Sequence, residues 1–306
     1  MWRIGHAQDH EKGTGCTVLI FPGGATASCD IRGGAPGTRE TVLLAPECTI
    51  EKINALVLTG GSARGLSAVD GVIRYCEERN WGFDSGFGAI PLVPAACLFD
   101  LGCGEPSAWP EPSMGMEACL GARPIEESSM GNCGAGTGAT VGKYSPAGKA
   151  MKSGFGWSQK ASGELEVFAV TAVNAFGAVR DLSGGFMAGA LDGNRIIDPG
   201  SISGTGEVWN EWGKSTTLAA IVTNARLDKA ACKRIAIMGQ AGLAGAIFPF
   251  NTPFDGDTVF CAATGEIEST TVLVGWLAAS AIEEAARNAV LHARSAFGFV
   301  SFSDLR

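Results

Sequence analysis

Four short segments of this 306-residue chain carry residue types whose spacing could support chemistry. The most glycine-dense is Gly131-Asn-Cys-Gly-Ala-Gly-Thr-Gly-Ala-Thr-Val-Gly142-Lys143-Tyr144, where amides beside a lysine suggest a phosphate cradle. The spacing excludes a P-loop, because a Gly-Lys must follow the first Gly after four residues and precede Ser or Thr, whereas position 144 is Tyr. A dinucleotide fingerprint fails as well: Gly138 comes one residue too early after Gly134-x-Gly136, and no strong strand precedes it. What remains is a close-packed turn or a loop whose amides and Lys143 face an active site. Gly60-Gly61-Ser62-Ala63-Arg64-Gly65 is not a nucleophile elbow, since Arg64 stands where that motif requires Gly. It reads as a tight strand-to-helix turn capped by Ser62. Gly213-Lys214-Ser215-Thr216-Thr217-Leu218 sets small hydroxyl residues where a Gly-rich segment enters an apolar strand, which is also how many strands simply begin. Phe254-Asp255-Gly256-Asp257-Thr258 places two carboxylates two apart around a glycine, the pattern of a turn, a cation site or a catalytic dyad.

The elements that must position these segments alternate between strand and helix. Short β-branched or apolar runs at 17–21, 41–44, 54–59, 165–173, 217–223 and 258–262 are predicted strands. Leu66, Val69, Ile73 and Cys76 recur at helical spacing after Ser62. Helices are also predicted over 227–247 and 272–292, with a short one around Ala95 to Leu101. Residues 82–160 are rich in Gly, Pro and Ser and are expected to be mostly loop; 182–214 reads as an exposed connection long enough to invite a functional role. No solenoid or propeller repeat is present.

Composition narrows the function. Hydrophobic residues make up 46% and charged residues 18%, which suits a buried core and not a disordered chain. The net charge of −8 offers no basic face for nucleic acid. The longest apolar stretch, Val272 to Ile282, is about half of the ~20 residues a membrane span needs, and the N-terminus lacks a secretory pattern, so a cytoplasmic protein is expected. Ten scattered cysteines without a C-x-x-C pair are expected to be buried, reduced thiols. Only His6, His10 and His292 are available, too few for a multi-histidine metal centre or a conventional Ser-His-Asp triad. Hydrolytic chemistry would have to find its base elsewhere.

Seven blocks follow one order: Leu58 to Gly71, Pro91 to Ala96, Gly131 to Gly138, Val173-Asn-Ala-Phe-Gly177, Ser215-Thr-Thr-Leu218, Thr223-Asn-Ala-Arg226 and Thr252 to Thr258. That order resembles the L-aminopeptidase/D-esterase-amidases and β-aminopeptidases, a family that includes the nylon-oligomer hydrolase, over about residues 10–300. The resemblance implies an α+β protein folded as a four-layer αββα sandwich of the N-terminal-nucleophile type. It implies a single hydrolase domain, 1–306, that cuts itself into an α chain, 1–215, and a β chain, 216–306. In the nylon-hydrolase branch the cut lies within Asn-Thr-Thr-Leu, matched here by Ser215-Thr216-Thr217-Leu218, so the scissile bond would be Ser215-Thr216 and the nucleophile Thr216. A threonine whose own nitrogen becomes a free amine (reference pKa ~8) carries its proton acceptor with it and needs no histidine. By the same match Asn174 is the oxyanion-hole residue, Asp255 and Asp257 orient the nucleophile, and Lys143 lies beside it. The implied activity is an aminopeptidase or amidase on small amine-bearing amides or short peptides, with no metal or organic cofactor, in a tetramer of αβ units. An unprocessed, ligand-binding relative of the same fold is the alternative. Two positions depart from the family: Ser215 stands where Asn or Gly is usual, which bears on self-cleavage because Ser tolerates positive φ less readily, and Arg64 stands where Phe is frequent. A cut after Lys214, with Ser215 as nucleophile, is the lesser variant.

Overall fold

The computed structural model describes residues 1–145, 148–202 and 215–305. Nine strands form its main sheet: β1 (Arg3–Asp9), β2 (Thr14–Ile31), β3 (Gly37–Arg39), β4 (Lys52–Thr59), β5 (Ala95–Cys97), β6 (Phe155–Ser162), β7 (Leu165–Asn174), β8 (Thr216–Ala225) and β9 (Thr258–Ile267). The order is β6-β7-β8-β9-β2-β4-β5-β3, with β1 on the first half of β2. Pairing is antiparallel except for β8 with β9 and β4 with β5. The 18-residue β2 joins two halves of this sheet. Its start pairs with β1 and β4, its end with β9, and the register shifts between Ile20 and Ala25, where Pro22-Gly23-Gly24 interrupts the regular ladder.

Burial then resolves the chain into four layers. Leu19, Phe21, Leu56 and Leu58 of one half meet Phe168, Val170, Leu218, Ala220 and Phe260 of the other in a single apolar layer. The alternate residues of the same strands face outward onto helices. Val18, Ile20, Ala55 and Val57 pack under α1 (Ala68–Glu77) and α2 (Pro112–Leu120). Val167, Ala169, Ala219, Ile221 and Val259 pack under α3 (Lys229–Ala246) and α4 (Thr271–Leu291). Strands buried on both faces read as continuous apolar runs without a period of two, which is why 165–173 and 217–223 were visible as strands while their facing was not. The two long helices are capped by side chains: Asp228 accepts from the Ala231 amide and Thr270 from the Leu273 amide.

Three expectations are corrected. Residues 41–44 form a 3-10 turn (Val42–Leu44) with Val42 exposed; so short an apolar run carries no periodicity. Ala95–Cys97 is a strand, held between β4 and β3 by ladder bonds that override the helical preference of its alanines. Ser62 is no N-cap: Gly61 takes that position at φ 78, Ser62 itself lies at φ 54, and its amide donates to the Leu98 carbonyl at 3.0 Å. The segment expected to be mostly loop also contains α2 and β6, and residues 203–214 of the predicted connection lie outside the described residues. All ten cysteines are free and nine are buried. No helix among the described residues is long and apolar enough to cross a membrane.

Candidate active site

Strand register brings the predicted residues together. Thr216 opens β8 and Asn174 closes β7, and the antiparallel ladder sets them opposite each other. Because β9 runs parallel to β8, the turn that precedes β9 falls at the same end of the sheet, and a bridge pairs Ser215 with Asp255. The Asp257 carboxylate accepts the Thr217 amide at 2.6 Å and the Asn251 amide at 3.0 Å. Asp255 accepts the Phe176 amide at 3.2 Å and the Thr252 amide at 3.1 Å, together with the Thr252 hydroxyl. Lys143, at the end of the glycine-dense segment, donates from Nζ to Asn174 Oδ1 at 2.8 Å, to the Asn174 carbonyl at 3.1 Å and to the Thr140 carbonyl at 3.2 Å. Asn174 Nδ2 donates to the Phe99 carbonyl at 2.7 Å.

Around Thr216 the polar contacts are close. Its Oγ1 lies 2.5 Å from the carbonyl oxygen of Ser215, and the Gly256 amide is 3.2 Å from Oγ1 and 3.1 Å from that carbonyl oxygen. Ser215 and Thr216 are 2% and 3% exposed. Ser215 is not among the described residues with positive φ, so the extended bridge it forms with Asp255 accommodates a serine where Asn or Gly was the family's habit.

Burial sets the electrostatics. It pulls the Lys143 ammonium down to about 7, against the opposing pull of Asp255. It raises both aspartates, and the neighbouring charge of Asp255 pushes Asp257 further in the same direction. Lys143 lines a cavity of about 250 Å³ together with Phe99, Asp100, Cys103, Thr140 and Phe299; Thr216, Asn174 and the two aspartates are not in its lining. No group of three or more His, Cys, Asp or Glu side chains among the described residues is arranged to hold a metal ion.

Two supporting residues were invisible in the sequence. Lys152 is wholly buried and donates to the carbonyls of Gly136 (3.2 Å), Ala139 (2.9 Å) and Ser153 (2.5 Å), pinning the loop that carries Thr140. Burial lowers it to about 8. Asp100, raised to about 6 by burial, accepts the Gly61 amide at 2.6 Å and the Thr14 hydroxyl at 2.8 Å. Neither belongs to a short motif; only the fold supplies their partners. Lys152→Met should leave the Ser153 carbonyl without its donor, at ~1–3 kcal/mol, and strip the Gly136 and Ala139 carbonyls of one of their two donors, partly offset by removing a buried ammonium. A net loss of about 2 kcal/mol is expected, lowering Tm by roughly 4–8 °C in calorimetry. An unchanged Tm would refute the pinning role.

Peptidase family S58 matches residues 2–301. The chain belongs to that family. An uncharacterized aminopeptidase of Mycobacterium leprae is 39% identical over 84% of this chain and 72% of its own length. A 6-aminohexanoate-oligomer endohydrolase of Kocuria sp. is 30% identical over 88% of this chain and 74% of its own. The structure of the L-aminopeptidase D-Ala-esterase/amidase of Ochrobactrum anthropi, described as a variant of the Ntn hydrolase fold, superposes with a TM-score of 0.69 at 16% identity, covering 95% of this chain and 84% of that one. The S58 chain thus has the N-terminal-nucleophile hydrolase fold, in the four layers expected, and is a hydrolase of amide bonds.

Proposed function

We propose that this S58 peptidase activates itself by cutting Ser215-Thr216 and then uses Thr216 as the nucleophile of an aminopeptidase or amidase. The observation that carries the reading is the 2.5 Å approach of Thr216 Oγ1 to the carbonyl oxygen of its own preceding residue, in a bond so buried that a second molecule's active site has no access to it. Attack by Oγ1 on that carbonyl carbon exchanges the amide for an ester, and water then releases residues 1–215 and a new N-terminus at Thr216. The freed amine takes the hydroxyl proton in each later turnover. Lys143 beside it favours the neutral, basic form of that amine, the aspartate pair orients hydroxyl and amine, and Asn174, by exchanging its bond to the Phe99 carbonyl, donates to the substrate's oxyanion. The small, largely apolar cavity beside Lys143 suits an uncharged acyl portion of a small amide or short peptide. The relative that acts on 6-aminohexanoate oligomers supports testing ω-amino amides alongside aminoacyl anilides.

Intact mass and N-terminal sequencing of purified protein, with hydrolysis of that panel, test the proposal. Species 1–215 and 216–306 that appear together with activity support it. Active protein that remains one continuous chain sinks it. A tetramer of αβ units and a cytoplasmic setting belong to the same proposal; exposed Val272, Leu273 and Trp276 on the first turns of α4 fit subunit contact, and free thiols fit a reducing compartment.

The same burial gives a pH dependence of stability, best measured on a continuous Thr216→Ala chain. Lys143 and Lys152 have folded values of about 7 and about 8, below the ordinary 10.5, so the unfolded chain binds more protons there and stability rises as pH climbs from 7. Buried thiols act oppositely. Cys16, Cys97 and Cys133 ionise near 12 when folded against 9.0 when free, and their contribution, complete below 9, is lost above it. Urea midpoints should therefore rise from pH 7 to about 9 and fall beyond. A steady fall from pH 7 upward would contradict these assignments.

A further inference from the structure

Self-cleavage and substrate turnover each build negative charge on a carbonyl oxygen, and the oxygen of the scissile bond has a backbone donor of its own. We infer that the backbone amide of Gly256 is the oxyanion donor of the self-cleavage step, a role distinct from that of Asn174. The inference rests on the proposed cut at Ser215-Thr216. The Gly256 N–H lies 3.1 Å from the Ser215 carbonyl oxygen and 3.2 Å from Thr216 Oγ1, so one donor faces both the oxygen that becomes anionic and the atom that attacks. When the Oγ1–carbon bond forms, the carbonyl π electrons move onto the Ser215 oxygen. The C–N bond then breaks, the hydroxyl proton ends on the Thr216 nitrogen, and the ester that results is hydrolysed by water. A fixed N–H at about 3 Å stabilises the charged stage without having to reorganise. Asn174, in contrast, gives its Nδ2 to the Phe99 carbonyl at 2.7 Å and receives Lys143 and the Thr140 amide at its Oδ1.

The contact with Ser215 is also the hydrogen bond expected of the parallel bridge between Ser215 and Asp255, so the ladder alone accounts for its existence. Its aim is what the surroundings fix. The carbonyls of Asp255 and Asp257 are held from the far side by the amides of Ala35 (2.8 Å) and Arg32 (3.0 Å), which leaves the Gly256 N–H directed at the scissile bond. Glycine is required at that place: a Cβ on residue 256 would lie 2.8 Å from Thr216 Oγ1 and 2.8 Å from the Ala35 carbonyl oxygen. The turn is thus shaped so that its backbone, not a side chain, approaches the reacting group, and it does so between the two aspartates.

The test removes the N–H alone. Replacing Gly256 by glycolic acid during translation of the full chain turns that amide into an ester with no added atom at Cα. Fragment appearance, followed by intact mass at fixed pH and temperature, is expected to slow ~10²–10³-fold while circular dichroism stays that of the wild type. Cleavage within about threefold of wild type overturns the inference. If the ester chain does not fold, Gly256→Ala decides: it keeps the N–H but displaces it from Thr216, so folded protein that cuts at the wild-type rate also overturns the assignment, and slowed cutting supports it. Wild-type protein that never cuts at Ser215-Thr216 removes the underlying reading as well, a result distinct from normal cutting by the variant.

Discussion

Thr216→Ala is expected to give a folded chain of full mass that neither cuts itself nor turns over substrate, with hydrolysis reduced by about 10⁴-fold or more. Both losses come from one atom. Without Oγ1 there is nothing to attack the Ser215 carbonyl, and the amide that should become a free amine stays bonded in the ladder. Folding should survive because Thr216 packs at a strand end: among the described residues its Oγ1 hydrogen-bonds to the Ser215 carbonyl and the Gly256 amide, and the ladder to Asn174 is backbone. Thr216→Ser supplies the control. It keeps the hydroxyl and loses a methyl group, so it should still cut and still hydrolyse. Normal turnover by the Ala variant would discard Thr216 as nucleophile. Cutting of the Ala variant after Lys214 would move the nucleophile to Ser215, whose own hydroxyl is the other one at this junction.

Much of this arrangement was legible before any coordinates because the site is built at strand ends. Apolar runs such as 165–173 and 217–223 mark strands whatever they pair with, while the polar residues just beyond them, Asn174 and Thr216, draw their roles only from the resemblance to a known family. That Asn174 and Thr216 oppose each other was not legible, since register depends on partners far away in the chain. The parallel pairing of β8 and β9, which carries Asp255 to Ser215, is likewise a property of the sheet and not of either segment. Local preference misled where tertiary bonds prevailed. Ala95–Cys97 became a strand inside the sheet, and the Ser62 turn is governed by Asp100, whose carboxylate takes the Gly61 amide 39 positions away. Lys152 illustrates the remaining gap: a lone lysine in a glycine-rich stretch reads as a solvated charge, and only the enclosing carbonyls reveal a buried clamp.

Asn174→Ala should separate the two reactions of the site. Turnover is expected to fall ~10²–10³-fold, mainly in kcat, because an oxyanion donor acts in the transition state more than in substrate binding. Self-cleavage should still go to completion, since the Ser215 carbonyl oxygen already has the Gly256 amide at 3.1 Å and does not depend on the Asn174 side chain. The substitution does strip Lys143 of one acceptor at 2.8 Å and leaves the Phe99 carbonyl without its donor, so some loss of Tm is expected alongside. Asn174→Asp distinguishes donor loss from loss of packing. It retains the volume and offers Lys143 an acceptor, yet places a carboxylate where the substrate's negative charge must develop, so its turnover should be no better than that of the Ala variant even where its stability is higher. An Asp variant with wild-type kcat would show that Asn174 orients Lys143 and donates nothing to the reaction. Equal slowing of cutting and turnover by the Ala variant would mean that the two reactions share one oxyanion site, and that Gly256 only completes the ladder.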